Sequence, residues 1–389
     1  MARLNLAILL KTRLRSTAKK VLDINHSTKH GKAGPCRTLC TEKDVRIRYT
    51  YEMTRVAING FGRIGRGFLR ALREDSSHTA LTVVAINDLT TPENLAYLLK
   101  YDTVYGRFAG TVTTDGPNLV VDGKKIPVLA ERDPSKLPWR DLEIDIVIEA
   151  TGFFTSADKA KAHLDAGARH VVISAPAKGE GAETILIGAN EEKFGTCNIT
   201  SNASCTTNAA SPLIGILDEA IGIERAVLNT VHAYTATQSI VDGPAADDFR
   251  RGRAGAQNLV PSSTGAAKAT ALAYPKLMGK FDGIAVRVPV VVGSIVDITF
   301  VSKRATTVEE VNGAMKKAAA TDKWKRVFAV SDEPLVSADI LGLPFGAIAD
   351  LEMTRVVDGM LVKVLAWYDN EMGYVYTLIA HTEEVAKRL

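Results

Sequence analysis

Cys205 stands in Ser201-Asn202-Ala203-Ser204-Cys205-Thr206-Thr207-Asn208, a polar turn followed by an apolar stripe (Leu213, Ile216, Leu217, Ala220, Ile221) at helical spacing. Pro212 suits the first turns of that helix, where a missing N–H matters least. A cysteine at a helix start feels the positive end of the dipole and unbonded N–H groups, so its thiolate is favoured. That is a nucleophile's environment, although a small buried core residue would read the same way locally. Further on, the β-like run 225–231 ends in His232-Ala233-Tyr234-Thr235. A histidine at a strand end can take the proton that a thiol nucleophile must lose.

The elements that must position this chemistry begin upstream. Arg55-Val56-Ala57-Ile58-Asn59 is a short apolar strand running into Gly60-Phe61-Gly62-Arg63-Ile64-Gly65, and a helix-compatible run, 66–73, comes next. A bare GxGxxG is weak, but strand, glycine turn and helix in this order form the context of a dinucleotide site. The glycines allow the tight turn and the close backbone approach, and the pyrophosphate meets the helix N-terminus. The second strand, 81–87, ends in Asp88, placed where a carboxylate binds ribose hydroxyls and repels a 2′-phosphate; this favours NAD over NADP. A cysteine beside nicotinamide can attack an aldehyde and then pass on the C–H hydride, leaving a thioester.

Further strand–turn units follow at 144–150, leading into Thr151-Gly152, and at 170–174, ending in Ser174. The segment 157–166 between them is helical in pattern. Apolar strands separated by helices imply a parallel sheet with ligand at the carboxyl ends of the strands, so Thr151, Gly152 and Ser174 are candidate cofactor contacts. Beyond His232 lies a polar Gly/Arg-rich loop, 237–258, with Arg250, Arg251 and Arg253. Residues 262–268 form a small-residue turn able to present hydroxyls and N–H groups to an anion. Arg287 sits inside the apolar run 284–289 and needs an anion partner there, from the protein or from a ligand. Strand-like runs at 294–303 and 360–367 suggest a second, largely antiparallel sheet, and the tail from Glu383 to Leu389 looks helical.

The bulk composition bounds this reading. A chain of 389 residues, 46% hydrophobic and 24% charged, is long enough for two domains of ordinary globular character. No apolar run approaches a membrane span. Four cysteines make no disulfide framework, so a reducing compartment, the cytoplasm, is expected. Residues 1–52 hold 12 Lys/Arg against 4 Asp/Glu, leaving 36 against 40 for the remainder, a net −4. The basic balance therefore belongs to the first segment, and nucleic-acid binding does not follow from it. Acid-free over residues 1–22, that segment reads as an organelle presequence, a nucleic-acid or membrane-surface arm, or translation upstream of a true start at Met53. His26, His30, Cys36 and Cys40 are spaced too tightly for a zinc-finger pattern, and no metal is expected.

From about Val56 to the C-terminus the chain resembles the phosphorylating glyceraldehyde-3-phosphate dehydrogenases. The resemblance rests on residues 58–65, on Ser204-Cys205-Thr206-Thr207-Asn208, on the His232 strand end, on Ser263-Thr264-Gly265-Ala266-Ala267-Lys268 and on Trp367-Tyr368-Asp369-Asn370-Glu371. It implies an α/β architecture: a Rossmann-type NAD-binding domain over 53–204, completed by a C-terminal helix at about 371–389, and an α+β catalytic domain over 205–370. It implies oxidative phosphorylation of D-glyceraldehyde 3-phosphate to 1,3-bisphosphoglycerate, in glycolysis and gluconeogenesis, with NAD as cofactor.

The implied roles are these. Cys205 is the nucleophile and His232 the base; Thr235 and Arg287 hold the substrate's phosphate. Ser204, Thr206, Arg251, Thr264 and Gly265 hold inorganic phosphate, with Arg250 and Arg253 as neighbours of the Arg251 assignment. Gly60, Gly62, Arg63, Ile64, Gly65, Asp88, Arg132, Thr151, Gly152, Ser174 and Asn370 line the NAD site. Pro244, where NADP-using photosynthetic relatives carry a small polar residue, again points to NAD. A homotetramer with subunit contacts through 237–258 is also implied. Two other classes stay open: an erythrose-4-phosphate dehydrogenase, which ends in hydrolysis, and a non-catalytic nucleotide- or RNA-binding protein.

Overall fold

The computed structural model describes residues 53–389 apart from Thr79 and Asp247. The first 52 residues, with the basic arm and the histidines and cysteines considered for zinc, lie outside the described residues.

Two sheets carry the architecture. The first begins with β1 (Thr54–Asn59), α1 (Arg63–Glu74), β2 (Leu81–Asn87) and α2 (Pro92–Lys100). A two-residue pair, β3 (Tyr101–Asp102) and β4 (Gly106–Arg107), and a meander of β5 (Val112–Asp115), β6 (Asn118–Val121) and β7 (Lys124–Leu129) follow. Then come β8 (Ile146–Glu149), α3 (Ala157–Asp165), β9 (His170–Ile173), β10 (Glu183–Thr184) and β11 (Ile199–Ser201). The strand order is β10-β11-β9-β8-β1-β2-β7-β6-β5, parallel as far as β7 and antiparallel through the meander. Val56, Ala57 and Ile58, with Ile146 to Ile148 and Val171 to Ile173, are fully buried, because both faces of a parallel sheet are covered.

The second sheet follows α4 (Cys205–Ala220) and is built from β12 (Ile223–Ala233), β13 (Val260–Ser263), β14 (Phe281–Val288) and β15 (Ser294–Ser302), with α5 (Ala266–Ala273) between β13 and β14. It continues through α6 (Val308–Ala319), β16 (Phe328–Ser331), β17 (Ala347–Val357) and β18 (Leu361–Tyr368). Its order is β13-β14-β12-β15-β18-β17-β16; only β12/β14 and β16/β17 run parallel. Along β15, buried and half-buried residues alternate strictly, the mark of a sheet packed on one face. Helices α4, α5 and α6 pack on this sheet. The final helix, α7 (Met372–Ala386), returns to pack against α1 and α4.

Three local expectations need correction. The terminal helix starts eleven residues before Glu383 because Asp369 accepts hydrogen bonds from the N–H groups of Glu371 (2.9 Å) and Met372 (2.8 Å) and so caps it. Pro212 is the eighth residue of α4, two turns in; Ser204 caps the helix from Thr207 N–H (3.1 Å), which fixes its start at Cys205. The stretch 262–268 is the end of β13 and the start of α5, joined by Thr264 and Gly265 alone, with Thr264 Oγ1 accepting from Ala266 N–H (3.2 Å).

Candidate active site

Ser201 ends β11 in the first sheet, and Cys205 opens α4, which leads into the second sheet. The turn between them is tightened by Ala203, buried and in the left-handed region at φ 53°, with its carbonyl held by the Tyr374 hydroxyl (3.1 Å). A non-glycine residue seldom adopts that conformation, and here it aims the first residue of α4 toward β12. Cys205 Sγ lies 3.4 Å from His232 Nε2. His232 is the penultimate residue of β12, so the strand-end expectation describes what the fold places there.

The electrostatics differ from the expectation of a favoured thiolate. Burial pushes the Cys205 thiol up; the Arg287 charge, the Thr206 hydroxyl and the N–H groups of Thr206 and Cys205 pull the other way without overcoming it. Burial, then the Arg287 charge, pushes His232 down to about 3, against the bond to the Ala233 carbonyl. Both shifts run toward the uncharged forms, thiol and neutral imidazole. His232 Nδ1 is 2.6 Å both from the Ala233 carbonyl oxygen, which can only accept, and from Arg287 Nη1, which can only donate; the tautomer with its proton on Nδ1, bonded to the carbonyl, is the one that leaves Nε2 as the acceptor facing the thiol.

Arg287 is in register with His232 on the adjacent parallel strand β14, and with Val260 on β13 beyond it. Its Nη1 is 3.1 Å from the Ala233 carbonyl and 2.6 Å from His232 Nδ1, and it makes no salt bridge to a carboxylate among the described residues. Burial and then the nearby Arg251 charge lower its pKa, while Cys205 and Tyr368 oppose. Arg251 itself donates Nε–H to Ser262 Oγ (2.9 Å) on β13 and lies 3.8 Å from Asp248. Arg287, beside the thiol and without a carboxylate partner of its own, and the nearby Arg251 make a site for an anion.

The other expected phosphate ligands are placed less uniformly. Thr235 follows β12, its hydroxyl paired with that of Thr237 (3.0 Å). Ser204 Oγ is committed to capping α4 and to the Thr207 hydroxyl (2.8 Å). Thr206 is buried, its hydroxyl bonded to Tyr368 OH at 2.8 Å. Gly265 is exposed at the start of α5, with open space where a Cβ would stand. Tyr368 joins the site without any sequence signal for chemistry; it bridges Thr206 and Thr230 (2.8 Å each) and sets its ring edge-on to His232 at 5.9 Å.

At the other end of the crevice the glycine turn has the shape a dinucleotide needs. Gly60 has φ 93°, and a Cβ there would meet the backbone of Ala150 and Thr151 at 2.8 Å. A Cβ on Gly65 would stand 2.3 Å from the Gly60 carbonyl oxygen, so only glycine lets α1 sit this close to β1. Gly62 is exposed and precedes α1, and Ile64 is half-buried against the core. Asp88 Oδ2 accepts from Phe61 N–H (2.8 Å) and Oδ1 from Thr90 N–H (2.9 Å), which fixes the carboxylate at the end of β2 with lone pairs to spare for a ribose.

Thr151 and Gly152 follow β8, Ser174 follows β9, and Arg132 is exposed on the loop after β7. Arg63 is engaged by Asp102 and Glu371, so its charge is already neutralised. Asn370 Oδ1 accepts from Gly293 N–H and Ser294 Oγ (3.0 Å each), and Ser294 Oγ accepts from Ala233 N–H (3.1 Å). With its oxygen fixed, Asn370 keeps its NH2 as the end available to a ligand. These residues fit NAD: a cradle closed to side chains, a helix N-terminus and a fixed carboxylate. Among the described residues no group of three or more His, Cys, Asp and Glu is placed to hold a metal ion, and no helix is long and apolar enough to cross a membrane.

Comparison with known proteins agrees with this geometry. Residues 54–157 match the family model of the glyceraldehyde 3-phosphate dehydrogenase NAD binding domain, and residues 204–370 match that of its C-terminal domain. Glyceraldehyde-3-phosphate dehydrogenase of Kitasatospora aureofaciens is 53% identical over 338 residues, covering 86% of this chain and all of that protein. The enzymes of Clostridium pasteurianum and Geobacillus stearothermophilus are 49% and 48% identical, each over 86% of this chain and 99% and 98% of their own length. The chain belongs to the family of NAD-dependent glyceraldehyde-3-phosphate dehydrogenases.

Proposed function

We propose that the protein oxidises D-glyceraldehyde 3-phosphate to 1,3-bisphosphoglycerate, consuming NAD and inorganic phosphate, as a step of glycolysis and gluconeogenesis. The observation that carries this reading is the 3.4 Å approach of Cys205 Sγ to His232 Nε2, with Arg287 alongside. His232 Nε2 accepts the thiol proton as sulfur bonds to the aldehyde carbon. The imidazolium and the N–H of Cys205 stabilise the oxyanion of the tetrahedral adduct. NAD, when bound, supplies the acceptor for the hydride. The imidazolium returns its proton to the oxyanion, giving the hemithioacetal hydroxyl, and His232 takes it back as the hydride leaves and the carbonyl reforms, leaving a thioester on Cys205. Inorganic phosphate then attacks the acyl carbon, the C–S bond breaks, and the departing sulfur recovers its proton.

Arg287 and Thr235 hold the substrate's own phosphate in this scheme. Ser204, Thr206, Arg251, Thr264 and Gly265 provide for the attacking phosphate. The buried Thr206 hydroxyl and the capping Ser204 act there as fixed dipoles rather than mobile ligands. The dinucleotide is held by the turn 60–65 with Asp88, Arg132, Thr151, Gly152, Ser174 and Asn370. Residues 53–204 with α7 form the NAD-binding domain and 205–370 the catalytic domain. A homotetramer fits the exposed apolar side chains Ile240, Val241 and Phe249 on the loop 237–258.

Mixing enzyme, NAD and substrate without phosphate and quenching within a second tests the scheme by mass spectrometry. The expected result is Cys205 carrying the acyl group of the oxidised substrate, discharged when phosphate is added. Absence of any adduct on Cys205 while NADH forms would overturn it.

A further inference from the structure

We infer that a buried chain of hydrogen bonds, running from the Glu131 backbone through Asn87 and Asn59 to Glu149, is the positioning frame of the dinucleotide site. The inference rests on the dinucleotide reading above. Asn87 ends β2, Asn59 ends β1 and Glu149 ends β8, three neighbouring parallel strands; Glu131 lies on the loop after β7. Each member stands just before a residue expected to touch the cofactor. Glu131 precedes Arg132, Asn87 precedes Asp88, Asn59 precedes Gly60, and Glu149 comes two residues before Thr151.

The direction of every bond is determined. Glu131 N–H donates to Asn87 Oδ1 (2.9 Å) and the Glu131 carbonyl accepts from Asn87 Nδ2 (2.9 Å), so the Asn87 amide cannot flip. Asn87 Nδ2 donates also to Asn59 Oδ1 (2.7 Å), which turns Asn59 Nδ2 to Glu149 Oε2 (2.6 Å). From the far side Trp139 Nε1–H donates to His163 Nδ1 (3.0 Å); the neutral ring then carries its proton on Nε2 and donates it to the same Oε2 (3.1 Å). Glu149 Oε1 accepts from Thr151 N–H (2.8 Å) and from the Thr151 hydroxyl.

Position 149 must therefore accept on both oxygens. A glutamine there would turn an NH2 toward Thr151 or toward Asn59 and His163. The Oε2 side cannot reverse, because Glu131 locks the Asn59 branch and Trp139 the His163 branch, and on the Oε1 side the Thr151 N–H is a fixed donor. Asn59, Glu149, His163 and Trp139 are all at most 1% exposed, so water cannot repair the loss. The reverse turn after β8, whose backbone backs against Gly60, is the part released.

Calorimetric titration of NAD into Glu149→Gln tests this, beside the wild type and with two controls: iodoacetamide alkylation of Cys205 in NAD-free protein, and thermal unfolding. The expected result is a Kd for NAD raised roughly 10-fold, equivalent to one buried donor left unpaired, with the alkylation rate unchanged. Asn87→Ala breaks the chain at its other end and is expected to give a similar rise; it serves as the test if Glu149→Gln does not fold. A folded variant that loses thermal stability but keeps its NAD affinity within twofold would overturn the inference and leave the chain merely structural. A wild type that does not bind NAD would instead remove the dinucleotide reading, and this inference with it.

Discussion

Arg287 Nη1 lies 2.6 Å from His232 Nδ1, on strands that run parallel and in register, so the residue proposed to hold the substrate's phosphate adds to burial in disfavouring the charged form of the base. Without an anion, the guanidinium helps to keep the imidazole neutral. Arg287→Leu should raise KM for glyceraldehyde 3-phosphate roughly 100-fold, the loss of about 2–4 kcal/mol expected for a desolvated charge pair. NAD affinity should stay within about twofold, and the His232 titration followed by NMR should move upward. Steady-state kinetics with equal KM for variant and wild type would count against the phosphate role.

Asp88 is expected to set cofactor choice. Asp88→Ala should weaken NAD roughly 10-fold, through lost ribose bonds and a loosened Phe61 N–H, and should raise the ratio of NADP to NAD turnover. Parallel measurements of kcat/KM for the two cofactors check this. An unchanged ratio would place the discrimination elsewhere.

Acid stability should depend, alongside His232, on two buried histidines that take no part in catalysis, His170 and His381. His170 Nε2–H donates to Thr200 Oγ1 (3.0 Å), whose hydroxyl donates to His381 Nε2 (2.8 Å), while His381 Nδ1–H reaches the Ile185 carbonyl (3.2 Å). The chain requires a neutral His381 ring, because its Nε2 must accept, whereas His170 donates in either state. Burial pushes His170 down to about 4, and burial, then the neighbouring His170, pushes His381 down to about 3. The unfolded chain therefore binds more protons below about pH 6.5, the unperturbed histidine value. Stability present above that value should be lost as pH falls toward 4, by up to about 1.4 kcal/mol per pH unit for each ring. Urea unfolding between pH 7 and 4.5 measures the slope, and His381→Gln should flatten it.

Most of the cofactor half can be read from the chain because its signals are local. The glycines of 60–65 and the apolar run ending in Asp88 lie within single elements and encode one turn and one strand end. Cys205 and His232 can be named as a thiol and an imidazole, but their 3.4 Å separation depends on α4 crossing from one sheet to the other. The expectation of a favoured thiolate rests on the helix dipole, which is visible in sequence, while the burial that pushes the thiol the other way is not. Tyr368 and Glu149 stay hidden for a related reason. A tyrosine and a glutamate at strand ends look like surface residues until folding buries them among partners 138 or 90 residues away.

NADH formation from glyceraldehyde 3-phosphate and NAD, followed at 340 nm with and without inorganic phosphate, for wild type and Cys205→Ser, tests the central claim most directly. The predicted result is turnover that requires phosphate and falls at least about 10³-fold in the variant, since a hydroxyl at this site has no comparable means of ionising. Phosphate-independent turnover that is faster on erythrose 4-phosphate, or turnover that survives loss of the thiol, would contradict it.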